Sequence, residues 1–171
     1  MEYNPIAALA TLQRYGVEFV VIGGVAARLW GSPTMTNDVD ICYSRDAVNL
    51  ERLAAALGDL DARLRGVDEE VPFRLDSTTL ANGQNFTFTT RLGSLDILGM
   101  PAGVRDFREL AANAINFDLG EGVIVKVCDL QDLIRMKRAT GRPKDRIEVE
   151  VLTAVSEERD SSERATPENT G

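Results

Sequence analysis

Residues 17–22, Val-Glu-Phe-Val-Val-Ile, form a short run rich in β-branched residues, and Gly23 and Gly24 follow it directly. Such a run predicts a buried strand, and the glycine pair predicts a sharp turn into a helix over residues 25–30. A backbone without side chains can approach a ligand closely, and a helix N-terminus attracts phosphate. The pair also fits a tight turn that binds nothing. It is not a P-loop, because no Gly-Lys-Ser or Gly-Lys-Thr follows.

The rest of the chain alternates between helical and strand patterns. Further helices are predicted over residues 5–16, after Ser44, and over residues 104–114, 129–138 and 143–155. Further strands are predicted over residues 38–43, 85–91, 94–98, 115–119 and 123–127. Residues 58–84 show no clear helical or strand pattern, although residues 73–75 are a candidate strand. This order predicts an α/β (α+β) fold in which helices flank a mixed β-sheet of about four to six strands, with a small C-terminal helical part.

Length and composition indicate one domain. The chain has 171 residues, of which 44% are hydrophobic, and we assign the domain to residues 1–155, with the helices of residues 129–155 closing its site. Residues 156–171 are expected to form a disordered acidic tail, because they contain few apolar side chains. No apolar run approaches the roughly 20 residues that cross a bilayer, and the N-terminus lacks a secretory pattern. We therefore expect a cytoplasmic protein without a membrane partner, whose Cys42 and Cys128 are buried free thiols.

The chain contains no histidine. This excludes Ser-His-Asp and Cys-His catalysis as well as His-ligated zinc. Chemistry would depend on carboxylates, lysines, hydroxyls and hard cations such as Mg²⁺, which prefer oxygen ligands. The formal net charge of -8 argues against a large nucleic-acid-binding face, although residues 135–146 are strongly basic.

Three aspartates lie in predicted strands. Asp38 and Asp40 are two residues apart, so both side chains project from one face of their strand. Two adjacent carboxylates repel each other unless a cation lies between them. Asp96 interrupts the apolar sequence Leu-Asp-Ile-Leu and needs a cation or hydrogen-bond donors. If Asp96 lies beside the first pair, the three carboxylates would hold two metals for an in-line phosphoryl displacement. The alternatives are a solvent-facing pair and a salt bridge from Asp96 to an arginine.

A lysine lies on the buried side of the helix predicted over residues 129–138. Lys137 continues the apolar stripe of Leu130, Leu133 and Ile134. Such a lysine either extends its ammonium group to water or points into a site that binds negative charge. Nearby basic residues could hold a triphosphate or an acceptor's phosphates. The alternative is a solvated helix end, where basic residues are favoured by the helix dipole.

Taken together, these residues resemble the DNA polymerase β-like nucleotidyltransferase superfamily. The pattern of this superfamily is a glycine pair after a strand, followed by about a dozen residues and then Asp-x-Asp. The corresponding residues here are Gly23-Gly24, thirteen intervening residues and Asp38-Val39-Asp40. The chain is more similar to the AbiEii-type and related minimal nucleotidyltransferases, many of them toxins of toxin–antitoxin pairs. In these, a C-terminal helix supplies a lysine, and an Arg-x-Lys-Asp-like segment follows it. The corresponding residues here are Lys137 and the segment of residues 142–145, Arg-Pro-Lys-Asp.

The resemblance implies a role for each of these positions. The implied ligands of Mg²⁺ or Mn²⁺ are Asp38, Asp40 and Asp96. The implied nucleotide-binding residues are Gly23, Gly24, Thr36, Lys137, Arg142 and Lys144. The implied catalytic residues are Asp38, Asp40, Asp96, Lys137 and Asp145, of which the last would orient Lys137 or the acceptor hydroxyl.

The resemblance predicts transfer of a nucleoside monophosphate from a nucleoside triphosphate to an acceptor. In the toxin-type relatives the acceptor would be tRNA or a protein, and an antitoxin would be a partner. One alternative is adenylyl transfer to a small hydroxylated molecule such as an aminoglycoside. Another is a catalytically impaired nucleotide- or partner-binding module, because the family often has arginine where this chain has Thr34.

Overall fold

The computed structural model of the chain describes residues 2–68 and 72–165. The helices in these residues are α1 Pro5–Arg14, α2 Gly23–Leu29, α3 Ala47–Asp59, α4 Ser77–Asn82, α5 Phe107–Asn113, α6 Leu130–Thr140 and α7 Pro143–Ala165. The strands are β1 Phe19–Ile22, β2 Asp38–Tyr43, β3 Arg63–Leu64, β4 Asn85–Thr90, β5 Gly93–Leu98, β6 Ile115–Asp118 and β7 Ile124–Val127.

The strands form a single mixed sheet in the order β3-β4-β5-β2-β1-β7-β6. The two central strands, β1 and β2, pair antiparallel, while β2 pairs parallel with β5 and β1 pairs parallel with β7. The expected α/β (α+β) fold with a mixed sheet is therefore confirmed. The described residues hold more strands than expected, because the short β3 extends the edge beside β4.

The first strand has the buried character that its sequence predicts. All four residues of β1 are buried, and so are Val39, Ile41 and Cys42 of β2. The helices form two groups of neighbours, with α3 contacting α1 and α4, and α6 contacting α2 and α7. Burial on both sides explains why β1 reads as a continuous apolar run instead of an alternating one.

Several local expectations hold and others need correction. Asn4 and Asp129 cap α1 and α6 through their side chains, as predicted. Ser44 does not cap α3, whose N-cap is Asp46; its hydroxyl instead accepts a hydrogen bond from the Asp46 amide. Residues 73–75 form no strand. Both cysteines are free and buried, as expected.

The expected disordered tail is wrong for residues 156–165, which are the last turns of α7. The Ser156 hydroxyl accepts a 2.7 Å hydrogen bond from the Gln131 side chain, and the Arg159 guanidinium lies 4.9 Å from the centre of the Trp30 ring. These polar contacts keep a helix in place where few apolar side chains are available. Residues 166–171 of the expected tail lie outside the described residues. None of the described helices has both the length and the apolar character needed to cross a bilayer.

Candidate active site

The turn between β1 and α2 lies directly against a carboxylate of β2. Gly23 has a φ of +67°, and a Cβ atom at this position would stand 2.1 Å from Oδ2 of Asp40. The next residue, Gly24, faces Thr36, whose hydroxyl oxygen would be 2.7 Å from an added Cβ. Both positions therefore require glycine for the backbone to approach Asp40 and Thr36 this closely, because a side chain would displace one of these two residues.

Asp40 and Asp96 are neighbours across two parallel strands. They are paired in the register of β2 and β5, and Asp38 lies two residues before Asp40 on the same face of β2. Burial, followed by the nearby charges of Asp96 and Asp38, raises the pKa of Asp40 to about 6. The three carboxylates thus lie close enough for their charges to oppose one another, as the sequence pattern predicted for a cation site.

An arginine that the sequence did not reveal binds the third carboxylate. Arg65, which follows β3, donates a 2.5 Å hydrogen bond to Oδ1 of Asp96 and another of 3.0 Å to the Phe88 carbonyl. The salt bridge that was the alternative for Asp96 is therefore present. The Arg65 guanidinium and the Asp96 carboxylate thus form an ion pair beside Asp40.

Lys137 lies in a buried ionic cluster between α6 and α7. Its Nζ is 2.7 Å from Oε2 of Glu148 and 3.5 Å from Oδ1 of Asp145, and all three side chains are at least nine-tenths buried. Asp145 also accepts hydrogen bonds from Thr140 at 2.7 Å and from Arg142 at 2.6 Å. Burial raises the pKa of Asp145, but the hydrogen bonds from Arg142 and Thr140 and the charge of Lys137 outweigh burial and lower it.

Glu148 was missed in the sequence, although it is the nearer carboxylate to Lys137. It lies three residues after Asp145 and four before the buried Leu152, so it shares the inward side of α7 with them. That spacing could have identified it. Glu148 also accepts a 3.4 Å hydrogen bond from Ser32, which connects the segment between α2 and β2 to the lysine.

These residues surround one cavity of about 550 Å³. The predicted site residues that line it are Gly23, Asp40, Asp96, Lys137, Arg142 and Asp145. Gly24, Thr36 and Asp38 lie beside them without lining it, and Lys144 is exposed at the start of α7. The structure thus gathers carboxylates of β2 and β5 around the same cavity as Lys137 of α6 and Arg142 of the α6–α7 connection.

The donor set suits a hard divalent cation. Asp40 and Asp96 offer carboxylate oxygens, and a cation beside them would relieve the repulsion that raises the pKa of Asp40. Within residues 2–68 and 72–165, no three His, Cys, Asp or Glu side chains already converge in a geometry that could hold a metal ion. The roles of Asp38, Asp40 and Asp96 as metal ligands therefore stay predictions. To bind a cation, the Asp96 carboxylate would have to leave Arg65 or bind Arg65 and the cation together.

The fold is similar to those of two solved adenylyltransferases. The chain superposes on a lincosamide antibiotic adenylyltransferase, LnuA, in its lincomycin-bound form with a TM-score of 0.56 and 14% identity, covering 91% of this chain and 99% of that one. It also superposes on ANT(2")-Ia in complex with adenylyl-2"-tobramycin with a TM-score of 0.51 and 20% identity, covering 91% and 88%. Protein-family models and curated proteins give no match to the sequence. At these identities, the likeness establishes the fold.

Proposed function

We propose that the protein transfers a nucleoside monophosphate from a nucleoside triphosphate to a hydroxyl-bearing acceptor, with Mg²⁺ or Mn²⁺ as cofactor. The observation that carries this proposal is the cavity in which Asp40 and Asp96 face Lys137 beside Gly23. Carboxylates that need a cation, opposite a buried lysine, are the groups that a metal-bound triphosphate requires. The superposition on two adenylyltransferases supports the same reaction class. We expect the protein to act in the cytoplasm, where nucleoside triphosphates are available.

The residues in and beside the cavity would have different roles in this reaction. Asp38, Asp40 and Asp96 would hold the divalent cation, which supplies Lewis-acid polarisation of the phosphates. Gly23, Gly24 and Thr36 would contact the β- and γ-phosphates. Lys137, Arg142 and Lys144 would offset the negative charge of the triphosphate, with Asp145 orienting the lysine. An ammonium group has three donors, so Lys137 can keep its two carboxylate partners and still donate to a phosphate oxygen.

The proposed step is an in-line displacement at the α-phosphorus. The acceptor oxygen forms a bond to this phosphorus while the bond from the phosphorus to the oxygen bridging to the β-phosphate breaks. Pyrophosphate leaves with the electron pair of that bond, and the hydroxyl proton passes to Asp96 or to water. Lys137 stabilises the charge that develops on the phosphates.

Two acceptor classes fit different features of the structure. A tRNA or protein acceptor, with an antitoxin as partner, rests on the resemblance of the sequence to the toxin-type relatives, and the exposed Arg138, Lys144 and Arg146 would be the groups that meet the phosphates of an RNA. A small hydroxylated molecule is supported by the size of the cavity, which is typical of small-molecule sites. The lincomycin and adenylyl-tobramycin bound to the two superposed proteins support the second class.

The proposal is tested by incubating the pure protein with Mg²⁺, a cell extract and each α-labelled nucleoside triphosphate in turn. Label should move into RNA, protein or a small molecule, which also identifies the acceptor class. Asp38→Ala and Lys137→Met should each lower the transfer by about a hundredfold or more, the scale for losing one group that stabilises developing charge.

Glu158→Gln is the matched control, because it removes an exposed carboxylate of α7 far along the helix from the site. It should transfer label at the wild-type rate. Absence of transfer with all four nucleotides, or full activity in Asp38→Ala, would contradict the proposal.

A further inference from the structure

One part of the cavity wall is apolar and holds none of the residues assigned to phosphate or metal. It is formed by Leu98 at the end of β5, Pro101 and Ala102 in the following loop, and Leu133 and Met136 of α6. We call these five residues the apolar wall. A nucleotidyl transfer involves two substrates, and the charged lining residues of the cavity suit the triphosphate.

The apolar wall is held in a fixed position. Gly103 packs its backbone on α6 with a φ of +82°, and an added Cβ would stand 3.1 Å from both the Arg135 carbonyl oxygen and the Met136 Cα. Arg135 also donates a 3.1 Å hydrogen bond from Nε to the Gly103 carbonyl. The loop therefore stays against α6, and a ligand would meet a preformed surface that costs little ordering.

Neutral polar groups lie next to the apolar wall. Asn85 and Thr87 of β4 are exposed, line the cavity, and pair in register with Leu98 and Asp96 of β5. Residues paired across antiparallel strands share a face, so these four side chains border the same space. An acceptor here would meet an amide and a hydroxyl next to alkyl groups.

The charges along the cavity disfavour strongly charged acceptors. Among the lining residues that the structure describes, the charged ones are Asp40, Asp96, Lys137, Arg142 and Asp145. Asp96 is paired with Arg65, and Asp145 with Arg142 and Lys137. A polycation would find few unpaired carboxylates, and a polyanion would compete with the triphosphate for both cations.

We infer that the apolar wall with Asn85 and Thr87 is the acceptor subsite, and that its ligand is a compact hydroxylated molecule with an apolar portion and little charge. The inference rests on the proposed function. Leu98 lies two residues after Asp96 on the same face of β5, so a molecule packed on Leu98 brings a hydroxyl to Asp96.

The subsite is tested with alkyl glucosides as probes of hydroxylated molecules with an apolar portion. Methyl, butyl and hexyl β-glucoside are titrated into the full chain with Mg²⁺ and a non-hydrolysable ATP analogue, and binding is followed by ligand-observed NMR. Affinity should rise by at least about tenfold from methyl to hexyl, because each buried methylene contributes roughly fourfold at 0.8 kcal/mol. Tobramycin, a polycation, should bind more weakly than the hexyl glucoside at the same ionic strength.

Ala102→Trp fills the subsite, and Ala102→Asp places a charge on it without bulk. Both should remove the dependence on alkyl length, whereas Val48→Trp, at an exposed position of α3, should keep it. Equal affinity for all three glucosides in the wild type would overturn the inference. So would loss of nucleotide affinity instead of glucoside affinity in both Ala102 variants, which would assign the wall to the nucleobase.

Titration of the Mg²⁺–nucleotide alone separates this inference from the proposed function. A wild-type protein that binds no nucleotide would contradict the proposed function itself. Nucleotide binding without any dependence on alkyl length would leave the proposed function standing and overturn the subsite.

Discussion

At the scale of single residues, Asp40 links the site to the stability of the free protein. Its pKa in the folded protein is about 6, against an ordinary value of 3.8, mainly through burial and then through Asp96 and Asp38. A carboxyl whose pKa is raised by folding is more costly to ionise in the folded chain than in the unfolded one. The cost is absent below the unfolded pKa, grows between the two values and is complete above pH 6.

Asp40→Asn should therefore stabilise the metal-free protein at neutral pH. Its melting temperature should exceed that of the wild type at pH 7.5, and the difference should shrink as the pH falls through 6 towards the ordinary pKa of 3.8, below which the Asp40 carboxyl is protonated in both the folded and the unfolded chain. In the wild type, Mn²⁺ affinity should fall as the pH drops through about 6, since protonated Asp40 is a poor ligand. Thermal melts and Mn²⁺ titrations across this range provide the measurements.

Glu158→Gln serves as the control for an exposed carboxyl and should leave the pH profile unchanged. If Asp40→Asn raised the melting temperature equally at both ends of the pH range, the ionisation of Asp40 would not be the cause of the lower stability of the wild type.

The sequence shows those site residues whose chemistry conflicts with their local pattern. Asp40 and Asp96 stand out as acids in apolar strands, and Lys137 stands out on an apolar helix stripe. Arg65 does not stand out, because a charged residue in a loop is ordinary, and Glu148 is marked only by its spacing to Asp145 and Leu152 on a helix with many charged residues. Their importance comes from partners 31 residues away for Arg65 and 11 away for Glu148, which only tertiary packing brings together.

At the scale of elements, strands β1 and β2 were predictable because burial and alternation leave clear patterns. The parallel pairing of β2 with β5 was not, although it decides that Asp96 lies beside Asp40. The helix α4 and strand β3 were also missed, since their two to six residues are too short for periodicity to identify. Local signals thus predict the elements, while their register depends on contacts between distant residues.

The junction of β1 and α2 gives an element-scale prediction. Gly23→Ala should weaken Mn²⁺ binding and nucleotidyl transfer, because its Cβ would displace the Asp40 carboxylate and alanine disfavours a φ of +67°. The conformational cost alone is about 1–2 kcal/mol. Gly58→Ala is the matched control, since a Cβ there meets nothing within 4 Å inside α3. It should stabilise the fold by roughly 0.5–1 kcal/mol without affecting transfer.

Calorimetry or chemical denaturation gives both stabilities, and Mn²⁺ titration gives the metal affinity. Unchanged Mn²⁺ affinity in Gly23→Ala would mean that the Asp40 carboxylate is not held by this turn.

At the scale of the whole molecule, α7 connects the site to the opposite end of the sheet. Its first turns supply Asp145 and Glu148 to the ionic cluster around Lys137. Its later turns are held through Ser156 and Arg159, and the Trp30 ring beneath Arg159 also contacts Phe117 of β6 edge to face. The acidic composition of residues 156–165 led to an expectation of disorder, because the polar contacts that order them depend on α6 and α2.

A truncation after residue 155 distinguishes an ordered helix from a disordered tail. Removing the Gln131 and Trp30 contacts should lower the free energy of unfolding by about 1–2 kcal/mol, the sum expected for one hydrogen bond and one cation–π contact. Amide hydrogen exchange should accelerate at residues 149–155, where the shortened helix frays. The double variant Gln131→Ala/Arg159→Ala should reproduce most of the loss in the full chain. The chain truncated after residue 165 is the reference for this comparison, and equal stability of the two truncated chains would show that residues 156–165 do not stabilise the fold.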